Sequence, residues 1–310
     1  MVTILRPLSI SELLDRTFHL YRNNFLVFVA ITGIPQLFIL ALRIGILGRL
    51  RPDEIGEIGR FILASWGIAL ASFIAIEISH AATVMAVSNF HLDRPATVGS
   101  SYSSAKESLL RVVWISFAVV FIPILFAIPV IIVVAIVFGV TFALGGGFGT
   151  GNVAMIRIIS ALAVLIIPAV ALWWWLQWSL VVPVTVLEGG GLRTSMRRSK
   201  SLTKGARGRI FLVYLLLAIL GAVVAWIVQS PVLAVMGFRA LRQPEAVTGI
   251  MQVISASGAF LSTSLVGALG EIALTLIYYD QRVRKEGFDL QLMMSNLEGN
   301  SQAAAAAPAS

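Results

Sequence analysis

The sequence predicts an all-α membrane protein with six transmembrane helices, in three tandem two-helix repeats that each follow a short amphipathic cytoplasmic helix. Composition is the first observation: the 310-residue chain is 58% hydrophobic and only 12% charged, whereas soluble domains have about 25% charged residues. The second is a series of long, uninterrupted apolar stretches. The third is a set of charge and proline landmarks that recur about every 90 residues.

The apolar stretches are long enough to cross a bilayer, whose hydrocarbon core takes about 20 helical residues. They lack the two-residue alternation of a membrane β-barrel, so helices are expected. Several stretches are longer than one perpendicular crossing of the bilayer requires, which predicts that they tilt or that they kink at internal prolines. The predicted spans are residues 24–47, 61–90, 111–143, 153–187, 209–237 and 250–279.

Positive charge alternates between the connectors. One set carries 16 of the 23 lysines and arginines in a chain of net charge +8. The positive-inside rule places this basic set, with both termini, in the cytoplasm. The basic set comprises the N-terminus, residues 91–111, residues 188–209 and the C-terminus after Tyr279; the other set comprises residues 43–60, 144–157 and 238–249.

Three stretches of the basic set resemble one another: RPLSISELLDRTFHLYRNNF, RPATVGSSYSSAKESLLRVV and GGLRTSMRRSKSLTKGARGR. Their alignment places Ser9 on Thr97, and Ser101 on Ser195. Two crossings per unit give every unit the same orientation, so a pseudo-threefold axis along the membrane normal is expected. The predicted units are residues 7–94, 95–190 and 191–286, within a single membrane domain (1–294) followed by a disordered tail (295–310).

Each repeat is expected to begin with an amphipathic helix at the membrane surface. In the first copy, Ile10, Leu13 and Thr17 follow helical spacing, so one face is apolar. Ser9 and Glu12 have the spacing of a capping box, which predicts the helix start. Such helices lie in the interface, with the apolar face toward lipid or the bundle.

These residues resemble a known family. RPLSISELLDRTFHLYRNNF, LEGGGLRTSMRRSKSLTKGARGR and LIYYDQRVRKEGFDLQ are similar to the glycerophosphoryl diester phosphodiesterase membrane domain family of bacterial proteins, over about residues 5–294. In the enzymes that give the family its name, a separate soluble domain with His-Arg-Gly and Glu-Asn-Thr segments carries catalysis. This chain contains neither a His-Arg nor a Glu-Asn dipeptide. The resemblance therefore implies a bacterial membrane architecture without the enzymatic activity.

A basic stripe in the third copy is the first candidate site. Its members recur at steps of four, three, four and three residues, which places them on one face of a helix. They are expected to bind anionic headgroups or a lipid phosphate; the alternative is a topology determinant that selects no ligand. The stretch has no aromatic residue for base stacking, which argues against nucleic acid. The stripe consists of Arg193, Arg197, Lys200, Lys204 and Arg207.

A candidate intramembrane polar site consists of Glu77, His80 and Glu271, which interrupt apolar runs. Ionisable residues inside a bilayer are costly and often functional, as in proton relays or substrate paths. His80 follows Glu77 by three residues, so a hydrogen bond within one helix turn is expected. The alternative is a structural hydrogen bond, or a protonated glutamate packed between helices.

Acidic residues end the three returning spans, although an acid at a helix C-terminus opposes the helix dipole. Their recurrence predicts basic partners and a structural salt-bridge ring, with a gating or ligand role as the alternative. The acids are Asp93, Glu188 and Asp280, and the expected partners are Arg16, Lys106 or Arg197.

These observations predict a non-catalytic bacterial inner-membrane protein that binds lipid or other membrane components, or serves as an anchor or a partner subunit of another membrane protein. The alternative is a transporter or lipid-handling protein that uses Glu77, His80 and Glu271; a phosphodiesterase is a remote third. The chain has no cysteine and only three histidines, so neither a metal nor a cofactor is expected.

Overall fold

A computed structural model describes residues 7–47, 55–92, 94–143, 166–242 and 248–287. Every regular element in these ranges is helical, and none of the described residues is in a strand. The all-α prediction is therefore confirmed for this part of the chain. The elements are α1 (Ile10–Asn23), α2 (Phe25–Leu42) with a π-helical continuation (Arg43–Leu47), α3 (Ile55–His91), α4 (Val98–Ala143), α5 (residues 166–178), α6 (Val181–Glu188), α7 (Leu192–Thr203), α8 (Arg207–Arg242) and α9 (Thr248–Glu286).

Within the described ranges, six helical stretches are long and apolar enough to cross a membrane, as predicted. Large apolar side chains on their outer surfaces are exposed, including Leu26 at 79% and Phe126 at 76%, which suits contact with lipid rather than water. The architecture is thus that of a multi-pass membrane protein. The stretches are Phe25–Ile46, Gly56–His91, Val98–Val133, Ile166–Glu188, Arg207–Pro231 and Val253–Glu286.

The fourth stretch consists of two helices rather than one. A turn at Ser179 and Leu180 separates α5 from α6. Pro183 has no N–H to donate to the carbonyl of Ser179, so the helical ladder breaks at this point. Residues 153–165 of the predicted span, the connector 144–157 and the tail 295–310 lie outside the described residues.

The segments at the start of the three predicted repeats differ in how they end. α1 has the predicted capping box: the Ser9 hydroxyl accepts from Glu12 N–H at 3.2 Å, and the Glu12 carboxylate accepts from Ser9 N–H at 2.7 Å. α7 is likewise a separate helix. The second predicted segment is not separate, because α4 runs without interruption from Val98 to Ala143.

The three returning helices form the inside of the bundle. α3, α6 and α9 contact one another, and α2 and α4 each pack between two of them. α2 contacts α3 and α9, while α4 contacts α3 and α6. α8 packs on α9, and its Tyr214 ring meets Trp175 of α5 edge to face at 4.4 Å. α9 is the most central element, since α1 and α7 also pack against it.

The basic connectors meet at one end of this bundle. The Leu8 N–H donates to Asp280 at 2.7 Å, which joins the chain before α1 to the last turns of α9. Arg111 of α4 donates to the carbonyl of Gly189, after α6. Lys285 of α9 donates to carbonyls at the end of α7. Charges that are far apart in the sequence therefore form one polar layer at this end.

Candidate functional site

The residues of the predicted intramembrane site converge between α3 and α9. His80 Nδ1 lies 3.5 Å from Glu271 Oε1 and 3.9 Å from Glu77 Oε2. Glu77 and Glu271 are only 7% and 6% exposed. The expected hydrogen bond between Glu77 and His80 is not formed, because 3.9 Å exceeds hydrogen-bonding distance. The structure thus joins three side chains that the sequence separates by up to 194 positions, and places the imidazole nearer to Glu271.

The hydrogen bond to Glu77 comes instead from α4. Ser116 Oγ donates to Glu77 Oε2 at 2.6 Å, and Ser116 is itself buried. Glu271 Oε2 is buried and has no hydrogen-bond partner among the described residues. Sequence analysis missed Ser116, because a lone serine in an apolar helix usually bonds to its own backbone. The two carboxyl groups therefore have unequal surroundings.

The cluster lies well inside the bundle. Nine residues separate Glu271 from Asp280 in the polar layer, which corresponds to about 13 Å of helix. On the α8 side, the Tyr214 ring lies against Gly270, where an added Cβ would come within 3.8 Å of the ring. Tyr102 of α4, whose hydroxyl donates to the Ile31 carbonyl at 2.5 Å, lies on the α2 side. Glu77, His80 and Glu271 are thus ionisable groups in a packed membrane interior.

Four members of the predicted basic stripe lie on the outer face of α7 and its C-cap. Arg193, Arg197, Lys200 and Lys204 are exposed, and their side chains form no hydrogen bond or ion pair with any described residue. Polar and apolar residues on the opposite face of α7 are buried, which orients the helix. The buried residues are Ser195, Ser199, Leu202 and Thr203.

Arg207 does not belong to this stripe. α7 ends at Thr203, and Gly205 in the turn has φ = 81°, a left-handed conformation that suits glycine. α8 then starts at Arg207 in a new direction. The Arg207 guanidinium donates to Gln177 Oε1 at 3.2 Å and lies 5.1 Å from the centre of the Trp173 ring. The prediction that Arg207 continues the stripe is therefore wrong, because the five residues do not share one helix.

The apolar residues of α7 also differ in their surroundings. Leu202 is 1% exposed and lies in the protein core. Met196 packs against a cluster that includes Ile115 and Val181. Leu192 is 45% exposed. Only Leu192 is therefore free to contact lipid to a large extent.

α7 is held on the bundle by charged groups at its edge. Arg198 bonds to Glu188 at 2.9 Å and to Glu286 at 2.7 Å. The pKa of Arg198 is raised above its ordinary value, and the hydrogen bond with Glu286 is the largest cause. The hydrogen bond with Glu188 acts in the same direction. Lys285 donates to the carbonyls of Ser201, Leu202 and Lys204. These bonds fix α7 while its outer cations stay unpaired.

The acids at the ends of the returning helices have partners other than the expected ones. Glu188 bonds to Arg198 and to the Tyr278 hydroxyl, and Asp280 pairs with Arg209 and Arg284. The expected partners Arg16, Lys106 and Arg197 bond to neither acid. Asp93 lies outside the described residues. Glu188 and Asp280 thus belong to two separate networks, both of which end on α9.

Part of these networks could have been found in the sequence. Asp280 with Arg284, and Arg282 with Glu286, have i,i+4 spacing and pair at 2.9 and 3.2 Å. Arg209 has no such local signal, since its partner lies 71 residues away.

The fold and these sites define a helical multi-pass membrane protein with a buried Glu–His–Glu cluster and an exposed basic helix at one end. Comparison of the chain with protein-family models, with curated proteins and with solved structures finds no match. The arguments about function therefore rest on the residues themselves, and the family resemblance noted from the sequence stays a prediction.

Proposed function

We propose that this chain is a non-catalytic protein of the bacterial cytoplasmic membrane that binds anionic lipid headgroups on the outer face of α7. One observation carries the proposal: Arg193, Arg197, Lys200 and Lys204 are exposed and unpaired on a helix whose other edge is fixed by Arg198. A rigid row of free cations beside the membrane-spanning helices is complementary to phosphate headgroups. The same row would suit an anchor or partner subunit of another membrane protein that recruits such lipids.

The expected strength follows from the charges. Each basic residue near an anionic surface contributes about 1 kcal/mol, so the four together contribute about 4 kcal/mol at low salt. At physiological ionic strength the screening length is about 8 Å, and the contribution falls. The interaction should therefore weaken as salt is added, in contrast to contacts of the apolar spans.

The variant Arg193→Gln/Arg197→Gln/Lys200→Gln is expected to lose retained anionic phospholipid. Removal of three cations should weaken headgroup binding by about 3 kcal/mol, roughly a hundred-fold in affinity. Native mass spectrometry of gently purified protein measures the retained lipid. The matched control Arg43→Gln/Arg60→Gln/Arg242→Gln removes the same charge from the other set of connectors and should keep the lipid. Retention of bulk lipids regardless of headgroup charge, or equal loss in the control, would contradict lipid recognition by α7.

We also propose the threefold repeat, which two features support. The three aligned helix starts, Ile10, Val98 and Leu192, are each the first residue of a helix. Two aligned sets of positions in these helices are fully buried, although most of their residues are polar or small. The packing also supports it: α2 contacts α9 and α3, α4 contacts α3 and α6, and α8 contacts α9 and, through Tyr214, Trp175 of α5. The two buried sets are Leu13, Ser101 and Ser195, and Thr17, Ala105 and Ser199.

Both termini are proposed to be cytoplasmic. The basic connectors meet in one polar layer, and the positive-inside rule assigns such a layer to the cytoplasm. A reporter that is active only outside the cytoplasm, fused after Gly147, is expected to be active, since residues 144–157 belong to the other set of connectors. A fusion that reads as cytoplasmic would reverse the orientation.

Transport or lipid handling is the second candidate, favoured by the convergence of Glu77, His80 and Glu271 in the interior. A cavity of about 60 Å³ between α2 and α9, bordered by Gln36, Arg43 and Thr263, lies about two helical turns from Glu271. If the cluster drives transport, Glu271→Gln should abolish proton-driven uptake while the basic face of α7 still retains lipid. Unchanged uptake in this variant would contradict a role of the cluster in transport.

A further inference from the structure

We propose that Glu77, His80 and Glu271 form a proton-binding site that holds two exchangeable protons when it is electrically neutral. This ligand differs from the lipid proposed for α7, and the inference requires neither lipid binding nor transport. It rests on the geometry of the cluster and on the absence of lysine and arginine from the described interior of the spans.

The described parts of the spans offer no other cation to balance the two carboxylates. No lysine or arginine occurs at residues 61–92, 112–156 or 243–281, which include the membrane-spanning parts of α3, α4 and α9. Residues 23–42, 158–192 and 210–238, which cover the interior of the other spans, contain none either. Within the described residues of the spans, His80 is therefore the only side chain whose positive charge can compensate Glu77 or Glu271.

Charge arithmetic then fixes the proton count. With both carboxylates ionised and the imidazole neutral, the cluster carries two negative charges. An uncompensated buried charge is strongly unfavourable, so such groups pair or take up protons. Neutrality requires two protons: either one on His80 and one on a carboxyl group, or one on each carboxyl group. Both arrangements contain at least one neutral glutamic acid.

The hydrogen bonds indicate which carboxyl group takes the proton first. Glu77 accepts from Ser116 at 2.6 Å, which favours a carboxylate at that position. Glu271 Oε2 is buried and lacks a hydrogen-bond partner among the described residues. At a buried oxygen without a hydrogen bond, a protonated carboxyl group costs less free energy than a carboxylate. His80 Nδ1 lies 3.5 Å from Glu271 Oε1 and 3.9 Å from Glu77 Oε2, close enough for a protonated imidazole to compensate the charge of either carboxylate.

Few other groups can take part. α8 presents Tyr214, and α4 presents Ser116 and Tyr102. α2 has no ionisable side chain in Phe25–Leu42, and α6 has none before Glu188 at its end. Loss of one proton would leave a net negative charge between α3 and α9 and would weaken their contact. Proton uptake is therefore coupled to the packing of these two helices.

Infrared difference spectroscopy of the full-length protein in lipid nanodiscs tests the proposal. Near neutral pH, the protein should show the carbonyl band of a protonated, buried carboxylic acid. The band should fall by about half or more in Glu271→Gln, because fewer carboxyl groups then need a proton. In His80→Gln the band should persist or grow, since both acids must then be neutral. Glu57→Gln, at the exposed start of α3 and paired with Arg60, serves as the matched control and should leave the band unchanged.

The absence of an acid band in the unmodified protein would overturn the proposal, as would a band that is unchanged in both Glu77→Gln and Glu271→Gln. Neither outcome depends on α7, so the lipid proposal can fail or hold separately. The unmodified protein gives the primary result, which does not require that any variant folds.

Discussion

Replacing Asp280 with asparagine is expected to lower the free energy of unfolding by about 3–5 kcal/mol. The Asp280 side chain is fully buried and pairs with Arg209 at 2.7 Å and Arg284 at 2.9 Å. It also accepts from the Leu8 N–H at 2.7 Å. Asparagine has the same shape but no charge, so two guanidinium groups would lose the one acid that pairs with them among the described residues. The largest share of the loss comes from Arg209, whose side chain is only 16% exposed.

Denaturant unfolding in detergent micelles measures this loss. Glu57→Gln is the matched control, because it removes an acid from the exposed Arg60 pair and should change stability by less than about 1 kcal/mol. Because the Asp280 side chain is fully buried, the free energies of unfolding of the two variants should differ by several kcal/mol. If Asp280→Asn unfolds at the same denaturant concentration as Glu57→Gln, the buried network does not stabilise the fold.

Phe28→Ala is expected to destabilise the protein by about 3 kcal/mol, the lower end of the range for buried phenylalanine. The Phe28 ring is 0% exposed and meets Phe90 edge to face at 5.9 Å. Its neighbours on α3 and α9 include Ala82, Ala86 and Ala268, which are too small to fill the space left behind. The lower value applies because helix association within lipid depends on close packing rather than on burial away from water.

Phe38→Ala provides the control on the same helix. Phe38 is 62% exposed on the outer surface of α2, so its truncation removes contacts with lipid but opens no internal cavity. Thermal unfolding in matched micelles should show a clear loss of stability for Phe28→Ala and a small change for Phe38→Ala. Equal effects of the two variants would mean that the contact of α2 with α3 and α9 does not depend on packing at Phe28.

The membrane architecture could be predicted from the sequence because spans depend on local composition. Twenty apolar residues in a row identify a span in any tertiary context. The same holds for the capping box of α1, whose two residues lie within one turn. Glu77, His80 and Glu271 could be singled out for the same reason, since ionisable residues in apolar runs are rare.

Contacts between distant residues could not be predicted in this way. Nothing local assigns Ser116 to Glu77 or Arg209 to Asp280, because these pairs depend on how the helices pack. Arg207 is a different case, because the sequence does contain a local signal. A glycine after a helical run commonly adopts a left-handed conformation and ends the helix. Gly205 therefore indicates that Arg207 does not share a helix with the other four basic residues.

The attachment of Leu8 to Asp280 bears on how the protein is made. The two residues lie 272 positions apart, and Arg209 and Arg284 both donate to the Leu8 carbonyl. During synthesis, the bonds that hold Leu8 can therefore form only after α9 has left the ribosome. The polar layer around Leu8 is thus completed after α2 to α8 have been made, although α1 precedes all of them in the chain.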